Sequence, residues 1–218
     1  MQLTITTEKR EEIERIQQEF RRYLSPEEIT RASSTAINGV LNRAKNRVQR
    51  LVAKEYTVSA KYMGRMLKVN PRSRPSTLWG GIEAYMLPIP LIAFPSKQRG
   101  SSVAVTMHKG RPSLIRNAFI ATVRGRGGGG PHTGIFSRGH YEKGAARKFY
   151  YYTKEERRRG GIGRTSTGKV RITQRMGTSP LSMALNDTVR RGVVEYIDKE
   201  AAARVQGILT SRVKKIRG

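Results

Sequence analysis

Residues 124–171 constrain the fold most, because they cannot supply a core. The stretch opens on Arg124-Gly125-Arg126-Gly127-Gly128-Gly129-Gly130-Pro131. It continues with Arg138, Lys143, Arg147, Lys148, Lys154, Arg157, Arg158, Arg159, Arg164, Lys169 and Arg171, opposed only by Glu142, Glu155 and Glu156. So much glycine and charge offers too little apolar surface to offset the entropy lost on ordering. The glycine run predicts a flexible hairpin tip or loop, and the stretch as a whole is expected to order mainly on a partner. A folded body must come from what precedes and follows it.

What precedes it begins as two helices. Ile13, Ile16, Phe20 and Leu24 recur at helical spacing among Glu and Arg that can pair along the exposed face. Ser25-Pro26-Glu27-Glu28 then supplies an N-cap, a proline at the first helical position and a glutamate at N3, which together predict a capping box. Behind it Ile29, Ala36, Ile37, Val40, Leu41, Ala44, Val48, Leu51 and Val52 trace one apolar stripe, so the second helix is expected to run to about Lys54. At the other end Leu181, Leu185, Val189, Val193, Ile197, Ala201, Val205, Ile208 and Ile216 follow an i, i+4 rhythm after Ser179-Pro180. Gly192 and Gly207 weaken that helix by roughly 1 kcal/mol each relative to Ala. Arg212, Lys214, Lys215 and Arg217 suit the negative end of its dipole.

Between the helices the pattern changes. A short helix is expected at 59–63, and short strands at 66–69, 78–86, 91–94, 103–107 and 118–123, separated by Pro and Gly turns. Pro71, Pro75, Pro88, Pro90 and Pro95 argue for edges and turns rather than a deep central sheet. The expected fold class is α+β: long N- and C-terminal helices packed on a small, mostly antiparallel sheet, with a basic Gly/Arg/Tyr-rich insertion.

Charge bounds the partners. The chain carries 43 Lys and Arg against 16 Asp and Glu, a formal net charge of +27 over 218 residues. Such an excess repels itself unless a polyanion or acidic neighbours offset it. Nucleic acid, an anionic membrane surface and an acidic protein all fit. The absence of Cys excludes disulfides, Cys-ligated zinc and thiol catalysis. The start lacks the pattern of a signal peptide, and no apolar run reaches the ~20 residues of a membrane span. A soluble protein made in the cytoplasm, with no membrane partner, is the expectation.

Two glycine patterns imitate nucleotide motifs. Gly163-Arg-Thr-Ser-Thr-Gly168-Lys169 has the spacing of a phosphate-binding loop, but Val170 stands where a magnesium-binding Ser or Thr belongs, and Arg157-Arg158-Arg159-Gly160-Gly161 stands where a buried strand should precede. Gly125-x-Gly127-x-x-Gly130 fits a dinucleotide fingerprint as a string, yet Pro131-His132-Thr133-Gly134 does not read as the helix that receives a pyrophosphate. Acid–base chemistry fares no better. Asp187 and Asp198 stand about three helical turns apart, too far to act as a pair, and His108, His132 and His140 have no carboxylate cluster beside them. No catalytic residue, cofactor or metal ligand is expected, and the chain does not read as an enzyme.

Aromatics interleaved with cations are the better signal. Phe149-Tyr150-Tyr151-Tyr152 lies between Arg147-Lys148 and Lys154. The rings suit base stacking; they equally suit a strand or a protein interface, where tyrosine is enriched. The candidate aromatic interface is Tyr150, Tyr151 and Tyr152. The candidate DNA-channel or interface cations are Arg124, Arg126, Arg138, Lys143, Arg147, Lys148, Arg157, Arg158, Arg159 and Arg164.

Leu114-Ile115-Arg116-Asn117-Ala118-Phe119-Ile120-Ala121, followed by a glycine loop and Gly134-Ile135-Phe136-Ser137-Arg138, resembles the phage minor tail protein Z family. Ile29-Thr30-Arg31-Ala32 with Ala36-Ile37-Asn38 resembles that family's first long helix, and Leu87-Pro88-Ile89-Pro90-Leu91-Ile92-Ala93-Phe94 its proline turn and strand. Before the last helix, Arg171-Ile172-Thr173-Gln174-Arg175-Met176-Gly177-Thr178-Ser179 keeps the basic start, the glycine and the serine of the family's pattern but loses its proline. The resemblance implies a tail-completion protein of a long non-contractile tail. Related neck proteins form rings, commonly of six copies, stacked on the tail terminator near the head–tail connector. The expected organisation is then an N-terminal helix at 1–24, an α+β tail-completion domain at 25–123 and 169–218, and an insertion at 124–168 that orders on assembly. Packaged duplex DNA would be met by sequence-independent phosphate contacts, in the virion after assembly in the host cytoplasm. A sequence-nonspecific nucleic-acid-binding protein is the alternative.

Overall fold

The computed structural model of the protein describes residues 2–3, 10–124, 130–141, 149–153, 155 and 172–217. It is mixed helix and sheet, with long helices toward both ends and small antiparallel sheets, and so is α+β. The chain divides into two compact units. The first comprises Met1–Glu55, Ser59–Leu87 and Ser179–Gly218, and the second Tyr56–Val58 and Pro88–Thr178.

Among the described residues, the first unit holds five helices and one small sheet. Helix α1 (Arg10–Phe20) turns into α2 (Pro26–Glu55) through the capping box the sequence predicts. The Ser25 N–H donates to Glu28 Oε2 at 2.9 Å, and the Glu28 N–H donates back to Ser25 Oγ at 3.3 Å. Ser59 caps α3 (Ala60–Met66), and Ser179 caps α4 (Pro180–Ala184). The last helix, α5 (Asp187–Arg217), packs along α2. Their contact is lined by alanines and larger aliphatic residues. Ala32 and Ala36 of α2 meet Ala202, Val205 and Leu209 of α5, together with Ile16, Leu24 and Ile29.

One expectation is corrected here. The apolar rhythm from Leu181 predicts a single helix, but the chain breaks at Leu185 and Asn186. Asn186 Oδ1 accepts from the Thr188 N–H at 3.1 Å and caps a new helix, leaving Leu185 39% exposed. Asparagine competes for backbone groups in this way and so favours caps over helix interiors.

The sheet of this unit has the order β1 (Gln2–Leu3), β3 (Ile82–Ala84), β2 (Leu67–Val69), all antiparallel. The long strand expected at 78–86 shrinks to three residues. Residues 70–81 form a loop in which Leu78 adopts a φ of 42°. Its anchor is Ser73, whose N–H donates to Asn38 Oδ1 and whose carbonyl accepts from Asn38 Nδ2 and Ser34 Oγ, each at 2.9 Å.

The second unit is built of strands. Sheet β4–β5–β6 joins Ser96–Arg99, Ser102–His108 and Arg111–Arg116. Sheet β7–β8–β11 joins Ala118–Arg124, Pro131–Ser137 and Thr173–Gln174. A hairpin pairs β9 (Gly139–Tyr141) with β10 (Phe149–Tyr151). The strand expected at 91–94 is instead a 3-10 turn, Leu91–Ala93, in which the Phe94 N–H donates to the Leu91 carbonyl at 3.1 Å. That turn sets Leu91 and Phe94 into a core with Ile89, Val103, Val105, Ala118, Ile135 and Phe136. Ile135 and Phe136 fall within the stretch read as too poor in apolar surface, yet they are 0% and 4% exposed. Gly177 closes this core, since a Cβ there would come within 3.1 Å of side-chain atoms of Leu91, Met107 and Phe94.

Candidate functional site

Two tight turns place the site. Gly100 and Ser101 link β4 to β5, with Gly100 at a φ of 55°, as two-residue hairpins require. Asn117, at a φ of 50°, is the single residue between β6 and β7, which lie in different sheets; asparagine tolerates this left-handed conformation better than most residues. The register sets Arg99 opposite Ser102 and Ser102 opposite Arg116, so both turns lie at the same end of the sheet. The hairpin of β9 and β10 is held close by Gly139, where a Cβ would lie 2.1 Å from the Tyr150 carbonyl oxygen.

Together these pieces enclose a pocket of about 360 Å³ lined by Gly100, Ser101, Asn117, Ala118, Phe119, Arg138, Tyr151 and Tyr152. Tyr151 donates its hydroxyl proton to the Arg116 carbonyl at 2.9 Å, and the Tyr152 N–H donates to the Arg138 carbonyl at 3.0 Å. The Arg138 guanidinium carbon sits 5.6 Å from the centre of the Phe119 ring, within cation–π range. The same pairing of cation and ring recurs beside the pocket. Arg175 lies 3.8 Å over the Phe149 ring, and its Nε and Nη1 are buried with no hydrogen-bond partner among the described residues. His140 stands between the rings of Tyr150 and Tyr152, at 5.8 and 5.5 Å.

Of the residues singled out by sequence, Arg138, Tyr151 and Tyr152 are brought together in this pocket. Tyr150 flanks it, 37% exposed and stacked on His140. Arg124 ends β7 opposite Pro131. Arg126, Lys143, Arg147, Lys148, Arg157, Arg158, Arg159 and Arg164 lie outside the described residues, as does the string 163–169. The glycines of 125–130 link two antiparallel strands, β7 and β8, and a strand follows where a dinucleotide site needs a helix. Sequence reading did not single out Gln98, Arg99, Arg116 or Asn117 as site residues, although Arg116 and Asn117 fall within a string quoted for the resemblance. The Gly100-Ser101 pair before the β-prone run 102–107 was the one available turn signal, since Gly-Ser favours a tight hairpin turn.

The arrangement suits binding of anions. Residues 84–141 contain no Asp or Glu at all. Among the described residues, no group of three His, Asp or Glu could hold a metal ion. The second unit as a whole carries 19 Lys and Arg against three Glu. Among the described residues no helix is long and apolar enough to cross a membrane. Set against family models, curated proteins and solved structures, the chain matches none. The likeness to tail proteins therefore rests on the residues quoted above.

Proposed function

We propose that the chain is a non-enzymatic minor tail protein of the tail-completion kind, forming a homo-oligomeric ring, of six copies, at the head-proximal end of a long bacteriophage tail. The observation that carries the reading is where the tail-like strings fall. Residues 88–94, 114–121 and 134–138 belong to the second unit and supply Ile89, Leu91, Phe94, Ala118, Ile135 and Phe136 to its core, while the string on α2 belongs to the first unit and supplies Ile29, Ala32 and Ala36 to its core. The resemblance thus includes residues that build the core of each unit. Its partners in this reading are the tail terminator, the head–tail connector and packaged duplex DNA, the last met by phosphate contacts that ignore sequence. It resides in the virion, after assembly in the host cytoplasm.

The basic and aromatic pocket also favours a second reading, a sequence-nonspecific nucleic-acid-binding protein, because Arg138 and Tyr151 offer a cation beside a ring. Electron microscopy of the purified protein mixed with tails that lack it separates the two. Attachment at the head-proximal tip, with weak binding to free duplex at physiological salt, supports the tail protein. No attachment, with tight salt-sensitive binding, replaces it with the second reading.

A further inference from the structure

The β4–β5–β6 sheet has two unlike faces, and strand register identifies them. Paired residues of neighbouring antiparallel strands point to the same side, and successive residues alternate. Val103 and Val105 of β5 are 0% exposed and mark the core face. The opposite face carries the rows Lys97–Ala104–Leu114 and Arg99–Ser102–Arg116, with Thr106 next to Pro112. Lys97, Arg99, Leu114 and Arg116 are exposed.

The central strand of that face presents only small side chains, Ser102, Ala104 and Thr106, while the cations stand on the outer strands. Neighbouring strands are about 4.8 Å apart, so the rims of this trough are separated by about 10 Å. Lys97 and Arg99 line one rim, and Arg116 the other. With no Asp or Glu in residues 84–141, no carboxylate within the sheet competes for these cations.

We infer that this open face is a phosphate-binding surface, on which one strand of a duplex DNA backbone lies in the trough between Lys97, Arg99 and Arg116. The inference rests on the reading that the protein meets duplex DNA, and it assigns that contact to a surface separate from the Gly/Arg-rich stretch. Leu114, 57% exposed on the same face, is its one large apolar group, and a protein partner is the occupant that it would favour instead. Three cations to one exposed leucine, with no acid present, decide for the polyanion.

The test is binding of the full-length protein to a mixed-sequence DNA duplex, followed by fluorescence anisotropy over a range of salt. Each phosphate neutralised adds about 0.9 to the slope of log K against log salt. The variant Lys97→Ala/Arg99→Ala/Arg116→Ala is expected to flatten that slope by about 2 to 3. Lys214→Ala/Lys215→Ala/Arg217→Ala removes the same charge from the end of α5 and is expected to change it by less than about 1. Ala104→Glu, which sets a carboxylate in the middle of the trough, is expected to weaken binding at least tenfold. Equal flattening by both triple variants would overturn the inference, because total charge and not this face would then set affinity. So would a wild-type protein that shows no salt-sensitive binding. Attachment to tails is read on the same variants. If the sheet variant loses attachment while its salt slope is unchanged, the face docks protein, and the inference fails while the tail reading stands. If it binds DNA as expected but even the wild type never attaches to tails, the tail reading fails while the phosphate surface stands.

Discussion

Gln98 Oε1 accepts a hydrogen bond from the Ile120 backbone N–H at 2.9 Å, joining β4 to β7 across a gap of 22 residues. Its Nε2 donates to the Gly100 and Ser102 carbonyls at 2.6 and 3.0 Å, and lies 3.3 Å from that of Ala118. One side-chain amide thereby ties two sheets together and fixes the turn that lines the pocket.

Gln98→Ala is expected to lower the free energy of unfolding by about 1 to 2 kcal/mol, since each net hydrogen bond contributes about 1 and partners lose their mates. Gln98→Glu keeps the acceptor for Ile120 but turns a carboxylate toward two carbonyl oxygens, so it should cost at least as much. Urea titration gives the stability, and amide exchange at Ile120 gives the local effect. Unchanged protection of that amide in Gln98→Ala would show that the bond contributes nothing.

Two glycines in α5 look alike in sequence and differ in surroundings. A Cβ on Gly207 would meet nothing within 4 Å, whereas on Gly192 it would meet Leu51 Cδ1 of α2 at 3.0 Å. Gly207→Ala should therefore gain the helical preference of alanine, about 1 kcal/mol. In Gly192→Ala that gain is offset, because Leu51 must shift out of a packed helix contact. Thermal unfolding of both variants checks the ordering, and equal stabilisation would count against the tight approach of the two helices at Gly192.

That difference between like residues marks the limit of what the sequence makes legible. Helices α1 and α2 were readable because caps and a 3.6-residue period report one local geometry: Ser25, Pro26 and Glu28 act within four residues of one another. The break at Asn186 was less visible, because Leu185 keeps the apolar rhythm through it. Strands fared worse. β4 and β6 carry charged, exposed residues with little alternation, and they are strands only because both pair with Val103 and Val105 on β5. The site divides in the same way. Arg138, Tyr151 and Tyr152 stood out by composition. Arg99 and Arg116 face one another only through a register that no short window contains.

The capping box carries a pH signature. The Ser25 backbone N–H and then its hydroxyl, both donating to the carboxylate, lower the pKa of Glu28 from its usual 4.5. A carboxyl depressed in the folded state adds stability above its unfolded pKa, and that contribution disappears as pH falls through the folded value. Wild type should thus exceed Glu28→Ala in stability at neutral pH by more than it does below the carboxylate range. Ser25→Ala, which removes the N-cap, should cost about 1 kcal/mol. Urea midpoints across the acid range check both, and a wild-type advantage that stays constant with pH would sink the assignment.

The clamp on Ser73 offers a direct optical readout, because Trp79 is the only tryptophan of the chain and sits on the loop that the clamp holds. Asn38 makes two bonds to the Ser73 backbone, one in each direction, from a position inside α2. Asn38→Ala leaves the Ser73 N–H without that acceptor in a site where Ser73 is only 5% exposed, and should cost about 2 to 3 kcal/mol. Asn38→Asp keeps the acceptor for the N–H but sets a carboxylate oxygen against the Ser73 carbonyl, which still receives Ser34 Oγ. Electrostatic repulsion there should make Asp no better than Ala at neutral pH, with recovery as the carboxyl is protonated and can donate. In both variants, the released loop should lower the steady-state fluorescence anisotropy of Trp79 well before global unfolding. Anisotropy that follows only the global transition would mean that Gly80, where a Cβ would lie 2.6 Å from Leu41, and the other loop contacts hold residues 70–81 without Asn38.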